Sequence, residues 1–413
     1  MRRIIGAVAA LLLMALALPA VAQEQTSGTG FRPVYKNPTP GEMPIMVWGG
    51  WGINDHLELT DEWASWLVDA GVNLVYGYMG DVRQKERIFD LADRHGLKVF
   101  LQDWYLAVPD TAAAVVSRWR GKKSLAGYMP LDEPTAPDFP KVRRIRDEIF
   151  SVDTTRLVLV NLLPMVPPRV CKAPSYREYV AESVRQLDLG LLSYDNYPVM
   201  LRDGEISVRD TFYENLEIVS SEARRVGWPF WAFGLVIGHY DYAPPVESDL
   251  RFEVFNALAY GAQGIQYFCY GYRDPKGFNT TISPIGKDGQ RTSIWYGMKN
   301  VNAEIQGLNE VFLDCEVMET GHLGTVPKGA RPLYSMPGPV SSIKCGRQGV
   351  LVSRIRNKDR NYIVIVNHEP RQRQKVKLKF KGNMTRVYSS SKKELAKSGT
   401  YRLDPGGYLV FQY

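Results

Sequence analysis

The chain has 413 residues, of which 45% are hydrophobic and 23% are charged. This composition is typical of a globular protein and excludes a disordered chain, a collagen and a small disulfide-rich domain. The formal net charge is +7 with basic residues spread along the chain, so even the densest cluster, Arg371 to Lys381, is interpreted as a solvated strand face rather than as a nucleic-acid-binding patch.

The N-terminus has the features of a secretory signal. Arg2 and Arg3 precede an apolar run from Ile4 to Leu18, and Ala20-Val21-Ala22 is a small-residue cleavage site. The run is short for a membrane-spanning helix of about 20 residues, and Pro19 ends it. We therefore expect a signal peptide that is cleaved after Ala22, and a periplasmic or extracellular protein that has no membrane contact once the signal is removed.

The numbers and spacings of the cysteines and histidines indicate which disulfides and metal sites the chain could form. In an oxidising compartment the four cysteines allow two disulfides in any of three pairings; they are Cys171, Cys269, Cys315 and Cys345. None belongs to a CxxC pair, and no two of the five histidines are spaced at i, i+2 or i+4. The sequence therefore predicts neither a metal nor another cofactor.

After a polar lead-in over residues 23–43, an apolar strand followed by an amphipathic helix recurs eight times. In the first unit, Thr60 opens the predicted helix and Gly71 ends it. The predicted strands cover residues 44–51, 72–78, 97–101, 125–131, 156–162, 189–194, 230–237 and 265–270. Such alternation predicts a parallel sheet that is covered on both faces.

Eight such units within residues 44–320 match a (β/α)₈ TIM barrel in number and size. The alternative is an open doubly wound sheet. That fold would favour a Gly-rich phosphate loop after the first strand, and Trp48-Gly-Gly-Trp-Gly does not have the G-x-G-x-x-G spacing. From residue 321 to residue 413 the pattern changes to short alternating strands with Gly- and Pro-containing turns, which predicts a small antiparallel β domain, a sandwich.

Acidic residues follow the predicted strands where a barrel carries its active site, at their carboxyl ends. Asp132 and Glu133 follow the fourth strand, and Asp195 follows the sixth. Glycoside hydrolysis needs one carboxylic acid that protonates the leaving oxygen and one carboxylate that acts on the anomeric carbon or on water. Because neighbouring carboxylates raise each other's pKa, one member of such a group stays protonated. Glu133 is the candidate general acid, and Asp195 or Asp132 is the second group.

The other side chains at these strand ends suit a sugar, whose flat C–H faces stack on aromatic rings and whose hydroxyl groups bind Asp, Asn and His. Each candidate has a structural alternative, as a core ring, a loop brace or a packed histidine. The candidate substrate-binding residues are Trp48, Trp51, Tyr78, Asp103, Trp104, Asn161, Tyr194, Tyr197, His239 and Tyr270.

The sequence around Glu133 also carries a family resemblance. Residues 125–134, Leu-Ala-Gly-Tyr-Met-Pro-Leu-Asp-Glu-Pro, resemble the strand-four signature of clan A barrel glycosidases, in which Asn-Glu-Pro places the acid/base Glu; here Asp132 stands in place of the Asn. The Asp-Glu pair also resembles the substrate-assisted hexosaminidases of families 20 and 123, in which the Asp orients the substrate acetamido group. Residues 192–198, 257–267 and 403–411 resemble uncharacterised bacterial barrel glycosidases.

The clan A resemblance implies a nucleophilic Glu at the end of the seventh strand. Residues 233–240, Phe-Gly-Leu-Val-Ile-Gly-His-Tyr, contain no Glu. The second carboxylate must therefore come from another strand or from the substrate. If Asp195 is the nucleophile, its carboxyl group should lie about 5–5.5 Å from that of Glu133; if it activates water, the gap should be about 6.5–9.5 Å.

The sequence thus predicts an exported barrel glycosidase that acts on an oligo- or polysaccharide without a cofactor. Three alternatives stay open: a carbohydrate-binding barrel that has lost catalysis, a substrate-assisted N-acetylhexosaminidase, and a polysaccharide lyase or esterase on the same scaffold. No nucleic-acid partner is expected.

Overall fold

The computed structural model describes residues 31–49, 60–77, 81–273 and 278–413. The predicted signal peptide and the candidate residues Trp51 and Tyr78 lie outside these ranges. Within them, no helix combines the length and the apolar character that crossing a bilayer requires.

A parallel sheet organises the chain up to Phe268. Its strands and a separate two-stranded hairpin, β8–β9, are β1 (Ile45–Trp48), β2 (Leu74–Gly77), β3 (Lys98–Leu101), β4 (Leu125–Tyr128), β5 (Leu157–Val158), β6 (Asn161–Leu162), β7 (Leu192–Tyr194), β8 (Val199–Arg202), β9 (Glu205–Val208), β10 (Phe230–Leu235) and β11 (Ile265–Phe268). The order of the strands in the parallel sheet is β5-β4-β3-β2-β1-β11-β10-β7-β6.

The two ends of this order, β5 and β6, are consecutive stretches of chain that only Leu159 and Val160 separate. β5 pairs with β4 and β6 pairs with β7, both in parallel. The sheet therefore returns to its starting point. Its nine segments correspond to the eight predicted strands, because β5 and β6 are the two halves of the predicted fifth strand. This is the sheet of a TIM-like α/β barrel.

Helices alternate with these strands. They are α1 (Asp61–Asp69), α2 (Val82–His95), α3 (Ala112–Trp119), α4 (Phe139–Val152), α5 (Pro168–Cys171), α6 (Tyr176–Leu187), α7 (Thr211–Val226), α8 (Glu247–Ala259), α9 (Ser293–Gly307) and α10 (Asn309–Phe312). The Thr60 hydroxyl accepts a hydrogen bond from the Trp63 N–H, as expected of an N-cap, and Gly96 ends α2 at a left-handed φ of 74°.

One glycine decides how closely β4 approaches its neighbours. A Cβ atom on Gly127 would lie 2.5 Å from the carbonyl oxygen of Leu157 in β5 and 2.5 Å from the Phe100 ring in β3. Only glycine therefore allows β4 to sit where it does, and the carboxyl end of β4 leads directly into Asp132 and Glu133.

The rest of the chain forms antiparallel sheets. Their strands are β12 (Glu316–Leu323), β13 (Val340–Lys344), β14 (Val350–Asn357), β15 (Arg360–Asn367), β16 (Gln374–Phe380), β17 (Met384–Ser389), β18 (Lys392–Ala396), β19 (Gly399–Leu403) and β20 (Tyr408–Gln412). A six-stranded sheet, β12-β14-β15-β20-β17-β18, and a three-stranded sheet, β13-β16-β19, share one apolar core, consistent with a β-sandwich. β12 begins at Glu316, so the antiparallel sheet starts a few residues before the predicted boundary at 321.

The barrel and these sheets are joined by an ion pair. Arg371, which lies between β15 and β16, donates to both carboxylate oxygens of Asp249 in α8, at 3.0 and 2.6 Å. It also donates to the carbonyl oxygen of Pro244 at 2.9 Å. Asp249 is only 1% exposed, so the barrel side of this contact is fully buried.

All four cysteines are free thiols, so neither of the two disulfides that the sequence allows is present. Cys171 ends α5, Cys269 is buried in the barrel core, Cys315 precedes β12 and Cys345 follows β13. Each thiol therefore belongs to a different part of the structure.

Candidate active site

The carboxyl end of β4 is attached to β6 by backbone pairing. Asp132 forms a parallel bridge with Asn161, and the N–H of Glu133 donates to the carbonyl oxygen of Asn161 at 2.9 Å. On the other side of β6, Asn161 pairs with Ser193 in β7, two residues before Asp195. Three neighbouring strands thus bring Asp132, Glu133, Asn161 and Asp195 together at the mouth of the barrel.

The backbone at Glu133 has an unusual conformation. Its φ is +47°, in the left-handed region that residues with a Cβ atom rarely adopt. The next residue, Pro134, is held from outside the barrel, because the Tyr179 hydroxyl in α6 donates to its carbonyl oxygen at 2.7 Å. The surrounding structure thus fixes a strained turn that carries a carboxyl group, a feature concentrated at functional sites.

The three carboxyl groups interact with one another. Glu133 and Asp195 share a hydrogen bond in which the protonated Glu133 is the donor and Asp195 the acceptor. Burial and the negative charge of Asp195 raise the pKa of Glu133 well above its usual range. Burial and the charge of Asp132 raise the pKa of Asp195, although hydrogen bonds from Asn161 and Glu133 lower it. Burial and the charge of Glu133 raise the pKa of Asp132 to about 7.

The carboxyl groups differ in their access to solvent. Asp132 and Glu133 are exposed at the surface of the mouth, whereas Asp195 is 9% exposed. The protein that surrounds Asp132 and Glu133 still removes most of the water that would hydrate a free carboxylate, and this explains how accessible groups have raised pKa values. A ligand in the mouth would therefore meet Asp132 and Glu133 before Asp195.

The contact between Glu133 and Asp195 can be compared with the distances between their carboxyl groups that were predicted for a nucleophile and for a base. Oxygen atoms that share a hydrogen bond lie about 3 Å apart or less. This is closer than the gap expected for a nucleophile and closer than the gap expected for a base that activates water. The structure thus presents Glu133 and Asp195 as a hydrogen-bonded pair that shares a proton.

Asn161 is 3% exposed and anchors the pair from below. Its Nδ2 donates to Asp195 Oδ1 at 2.9 Å, and its Oδ1 accepts a hydrogen bond from the Ser193 hydroxyl at 2.9 Å. It also hydrogen-bonds Asp132. Its side-chain contacts are thus with the carboxyl groups, and its predicted role as a sugar ligand stays a prediction.

Aromatic rings form one wall of the mouth. Tyr197 is buried and close to all three carboxyl groups, and burial together with the charge of Asp195 raises its pKa well above the usual range. Its ring packs on Phe268 and edge-on to Tyr242, with centroid distances of 6.2 and 5.6 Å. His239 stacks on Phe278 at 4.4 Å, and burial lowers its pKa, so its imidazole is neutral at pH 7.

Two of the predicted aromatic platforms differ sharply in exposure. Trp48 is 4% exposed and packs on Tyr76 in the barrel core, with its indole N–H bonded to Gln266. Trp104, in a single 3₁₀ turn after β3, is 64% exposed. The structure thus places Trp48 among core rings and leaves Trp104 with the accessible surface that stacking on a sugar requires.

Asp103 is already engaged within the protein. Its carboxylate forms an ion pair with the buried Lys85 and accepts a hydrogen bond from the Tyr105 N–H at 2.9 Å. Of the two roles open to it in the sequence, these contacts favour the brace between loop and helix.

Tyr194 and Tyr270 pack against neighbouring elements of the barrel. Ser193 and Asp195 point into the barrel, so Tyr194 between them points outward, where its ring packs on Phe230. Tyr270 is fully buried and accepts a hydrogen bond from the Trp295 indole of α9 at 3.1 Å. These placements favour packing roles over the predicted sugar contacts, because alternation along a strand turns every second side chain away from the mouth.

The end of β10, which is the seventh barrel strand, supplies no carboxylate to the mouth. The residues that follow it, Val236 to His239, are apolar apart from the histidine. Glu253 of α8 does reach this strand, but it is buried behind the sheet and accepts a hydrogen bond from the Leu235 N–H at 2.6 Å. Burial raises its pKa well above the usual range.

Ser193 and Gln266 were not predicted as site residues, but both are fully buried and are linked by hydrogen bonds to Asn161. Each is one polar residue inside an otherwise apolar strand. That isolated polar position was the available signal, because a buried strand does not carry a lone amide or hydroxyl without a hydrogen-bond partner. Among the described residues, no group of three or more His, Cys, Asp or Glu has the arrangement of a metal site.

Comparison with known proteins bears on the fold. No protein-family model and no curated protein matches the sequence. A β-galactosidase from Bacillus circulans sp. alkalophilus has a TM-score of 0.60 at 9% identity, covering 90% of this chain and 99% of its own. A glycoside hydrolase family 5 protein from Bacteroides vulgatus has a TM-score of 0.57 at 13% identity, covering 90% and 89%. A GH42 β-galactosidase from G. stearothermophilus has a TM-score of 0.56 at 8% identity, covering 92% and 99%.

The chain shares the fold of these proteins. At such low identity the similarity extends to the TIM-like barrel and the accompanying β-sheets, and the chemistry has to be argued from the site itself.

Proposed function

We propose that the protein is a glycoside hydrolase that cleaves an oligo- or polysaccharide, with Glu133 as the general acid. The observation that carries the proposal is the hydrogen bond from Glu133 to Asp195 at the solvent-accessible mouth of a barrel. It keeps a proton on Glu133 near neutral pH, at the position where such folds bind their substrates. When a glycosidic oxygen replaces Asp195 as the acceptor, this proton is available to the leaving group.

Asp195 is the ionised partner in this scheme. While Glu133 holds the proton, Asp195 carries the negative charge, which the Asn161 amide stabilises. The same charge would stabilise an oxocarbenium-like transition state. Asp195 acts as nucleophile or base only if substrate binding first breaks its contact with Glu133.

A second candidate, a substrate-assisted N-acetylhexosaminidase, is favoured by that close contact. In this route the acetamido oxygen of the substrate attacks the anomeric carbon while Glu133 protonates the departing oxygen, and water then opens the cyclic intermediate. The two carboxyl groups need no gap for a nucleophile. Asp132, which is exposed beside Glu133, is placed to accept the acetamido N–H.

We also propose that the protein is exported to the periplasm or the extracellular medium. The predicted signal peptide supports export, with cleavage after Ala22. N-terminal sequencing of the protein recovered from the medium or periplasm of an expressing bacterium should then begin at Gln23; an unprocessed Met1 terminus would contradict export by this route.

The test is hydrolysis of a panel of oligosaccharides and aryl glycosides, including N-acetylhexosaminides, by the wild type and by Glu133→Gln. General acid catalysis contributes about 10²–10⁴-fold, so Glu133→Gln should lose that much activity on natural glycans. It should lose less on aryl glycosides with good leaving groups, which need no protonation. Glu394→Gln in the exposed strand β18 of the antiparallel sheets makes the same chemical change outside the barrel and should keep full activity.

The outcomes separate the candidates. Cleavage confined to N-acetylhexosaminides would select the substrate-assisted route. Binding of a glycan without turnover would point to the non-catalytic carbohydrate-binding protein. Equal natural-glycan turnover by Glu133→Gln and the wild type would remove Glu133 from the mechanism.

A further inference from the structure

A chain of hydrogen bonds crosses the interior of the barrel and ends at the carboxyl cluster. Trp48 Nε1 donates to Gln266 Oε1 at 3.0 Å, and Gln266 Nε2 donates to Ser193 Oγ at 2.8 Å. The Ser193 hydroxyl donates to Asn161 Oδ1 at 2.9 Å, and Asn161 Nδ2 donates to Asp195 Oδ1 at 2.9 Å. The chain therefore runs from β1 through β11, β7 and β6 to Asp195.

The direction of every bond in this chain is set by its first member. An indole N–H can only donate, so Gln266 must present its oxygen to Trp48 and its NH₂ group to Ser193. Ser193 has one proton, which is directed to Asn161 because its oxygen already accepts from Gln266. Asn161 is then left with its NH₂ group facing Asp195.

Burial makes this orientation rigid. Gln266 and Ser193 are 0% exposed and Asn161 is 3% exposed, so bulk water does not replace a lost partner. Turning the Asn161 amide around would place its oxygen against Asp195 and its NH₂ group against the Ser193 proton. Both mismatches are costly inside the protein.

We propose that Ser193 and Gln266 are positioning residues, which hold the Asn161 amide with its N–H group towards Asp195 and so keep Asp195 the acceptor and Glu133 the donor of their shared hydrogen bond. Neither residue touches the proposed substrate. The kinetic part of this inference rests on the proposed function, whereas the orientation of Asn161 does not.

The groups that face Asp195 define the expected change. They are the carboxyl groups of Asp132 and Glu133. Five buried tyrosines interact electrostatically with Asp195 from farther away: Tyr176, Tyr179, Tyr194, Tyr197 and Tyr242. Burial raises the pKa of each tyrosine, so all five stay neutral over the working range. Without the hydroxyl of Ser193 the Asn161 amide is free to turn, and Asp195 loses a donor that stabilises its charge.

The direct test is a titration of the Asp195 carboxyl by ¹³C NMR of aspartate-labelled protein, with the signal assigned through Asp195→Asn. Ser193→Ala should raise the pKa of Asp195 by about 1 unit, since a hydrogen bond to a charged group is of that order. Ser193→Thr retains the hydroxyl and should restore the wild-type value. Gln266→Met removes the preceding link and should raise the pKa in the same direction.

Ser353→Ala is the matched control. Ser353 is also 0% exposed, but its hydroxyl has no hydrogen-bond partner among the described residues. Its removal should leave the Asp195 titration unchanged. The inference would be overturned if the pKa of Asp195 in Ser193→Ala equalled that in the wild type. It would also be overturned if the pKa of Asp195 in Ser193→Thr were as high as in Ser193→Ala.

Kinetics supply the second readout. If Asp195 must be ionised, the acid limb of the kcat/KM profile should move to higher pH in Ser193→Ala by the shift that NMR measures, so activity falls more on the acid side than at the optimum. A shifted titration in a protein without glycosidase activity leaves the positioning role standing and refutes only the proposed function. If the enzyme is active, but Ser193→Ala changes neither the pKa of Asp195 nor the acid limb of the kcat/KM profile, the positioning role alone is refuted.

Discussion

Asp132 and Glu133 place two acidic groups side by side, and Asp195 adds a third. Proximity of like charges is unfavourable, and proteins relieve it by retaining a proton. Here the hydrogen bond to Asp195 gives that proton a defined place on Glu133. Burial of the cluster and the repulsion within it, which are both unfavourable for folding, are therefore also what would make Glu133 an acid at neutral pH.

Asp132 should make the stability of the protein depend on pH. Its pKa is about 7 in the folded chain and close to 4 in the unfolded chain, so the folded state binds the proton more tightly. The stability that this residue contributes is complete below pH about 4 and is lost as the pH rises through 7. Asp132→Asn, which has no charge to repel, should gain stability relative to the wild type over this interval, measured as the difference in Tm between pH 4 and pH 8.

Asp138 lies in the same loop and provides a control, because its pKa is shifted in the direction opposite to that of Asp132. A hydrogen bond from the Thr135 hydroxyl lowers the pKa of Asp138, so its contribution is present above the unfolded value and lost as the pH falls. Asp138→Asn should therefore be less stable than the wild type at neutral pH, with the difference shrinking towards pH 3. The same trend in both variants would show that the sign assigned to Asp132 is wrong.

The positions of the acidic residues could be predicted from the sequence, whereas the directions in which the aromatic side chains point could not. Asp132, Glu133, Asn161 and Asp195 follow from strand ends, because parallel strands of a barrel end at one face. Whether a tyrosine at a strand end faces the mouth depends on its position in the strand to within one residue. A strand that is buried on both faces is apolar at every position, so its sequence does not reveal which side chains point inward. Tyr194 illustrates this.

Among the elements, β4 is closely packed on both sides. Gly127 lies between a carbonyl group of β5 and an aromatic ring of β3, and the chain continues from this strand to Glu133. A displacement of β4 would be passed on to Glu133 through the backbone bond to Asn161. The turn at Glu133 and the packing of the barrel wall are thus coupled.

Gly127→Ala should destabilise the protein by about 1–3 kcal/mol, the usual cost of forcing extra volume into a packed site, because a carbonyl oxygen of the backbone cannot rotate away. Denaturant unfolding measures this, and activity should fall as well. Gly121→Ala is the control: nothing lies within 4 Å of its added Cβ, so its stability should stay close to that of the wild type. Equal stabilities of the two variants would contradict the steric argument.

The pattern of elements was largely predictable. All eight barrel strands and the start of α1 at Thr60 follow from apolar periodicity and capping residues. β18, Lys-Lys-Glu-Leu-Ala, could not be predicted in this way, because its side chains are mostly exposed and show no apolar alternation. The break between β5 and β6 was missed because its residues are as apolar as the strand itself.

At the scale of the whole molecule, the contact between Asp249 and Arg371 links the barrel to the antiparallel sheets. Burial raises the pKa of Asp249, although Arg371 opposes this. An ionised Asp249 without its partner would be a buried, uncompensated charge. The contact therefore makes the α8 side of the barrel depend on the antiparallel sheets.

Arg371→Met should cost about 3–5 kcal/mol in unfolding free energy, as expected when one partner of a buried pair is removed. Arg373→Met removes an arginine two residues away whose partner, Asp404, is exposed, and it should cost about 0–1 kcal/mol. Denaturant unfolding of the two variants gives the comparison. Similar losses would indicate that the Asp249 contact is no stronger than a surface pair.

The left-handed backbone at Glu133 has an evolutionary consequence. Glycine adopts this conformation without steric penalty, and a glycine here would also remove one of three repelling charges. The residue best suited to the fold at this position is therefore the one that abolishes the proposed chemistry, so stability and activity select in opposite directions. A lineage released from selection on hydrolysis would drift towards glycine at this turn, and its barrel would gain stability as it lost its acid.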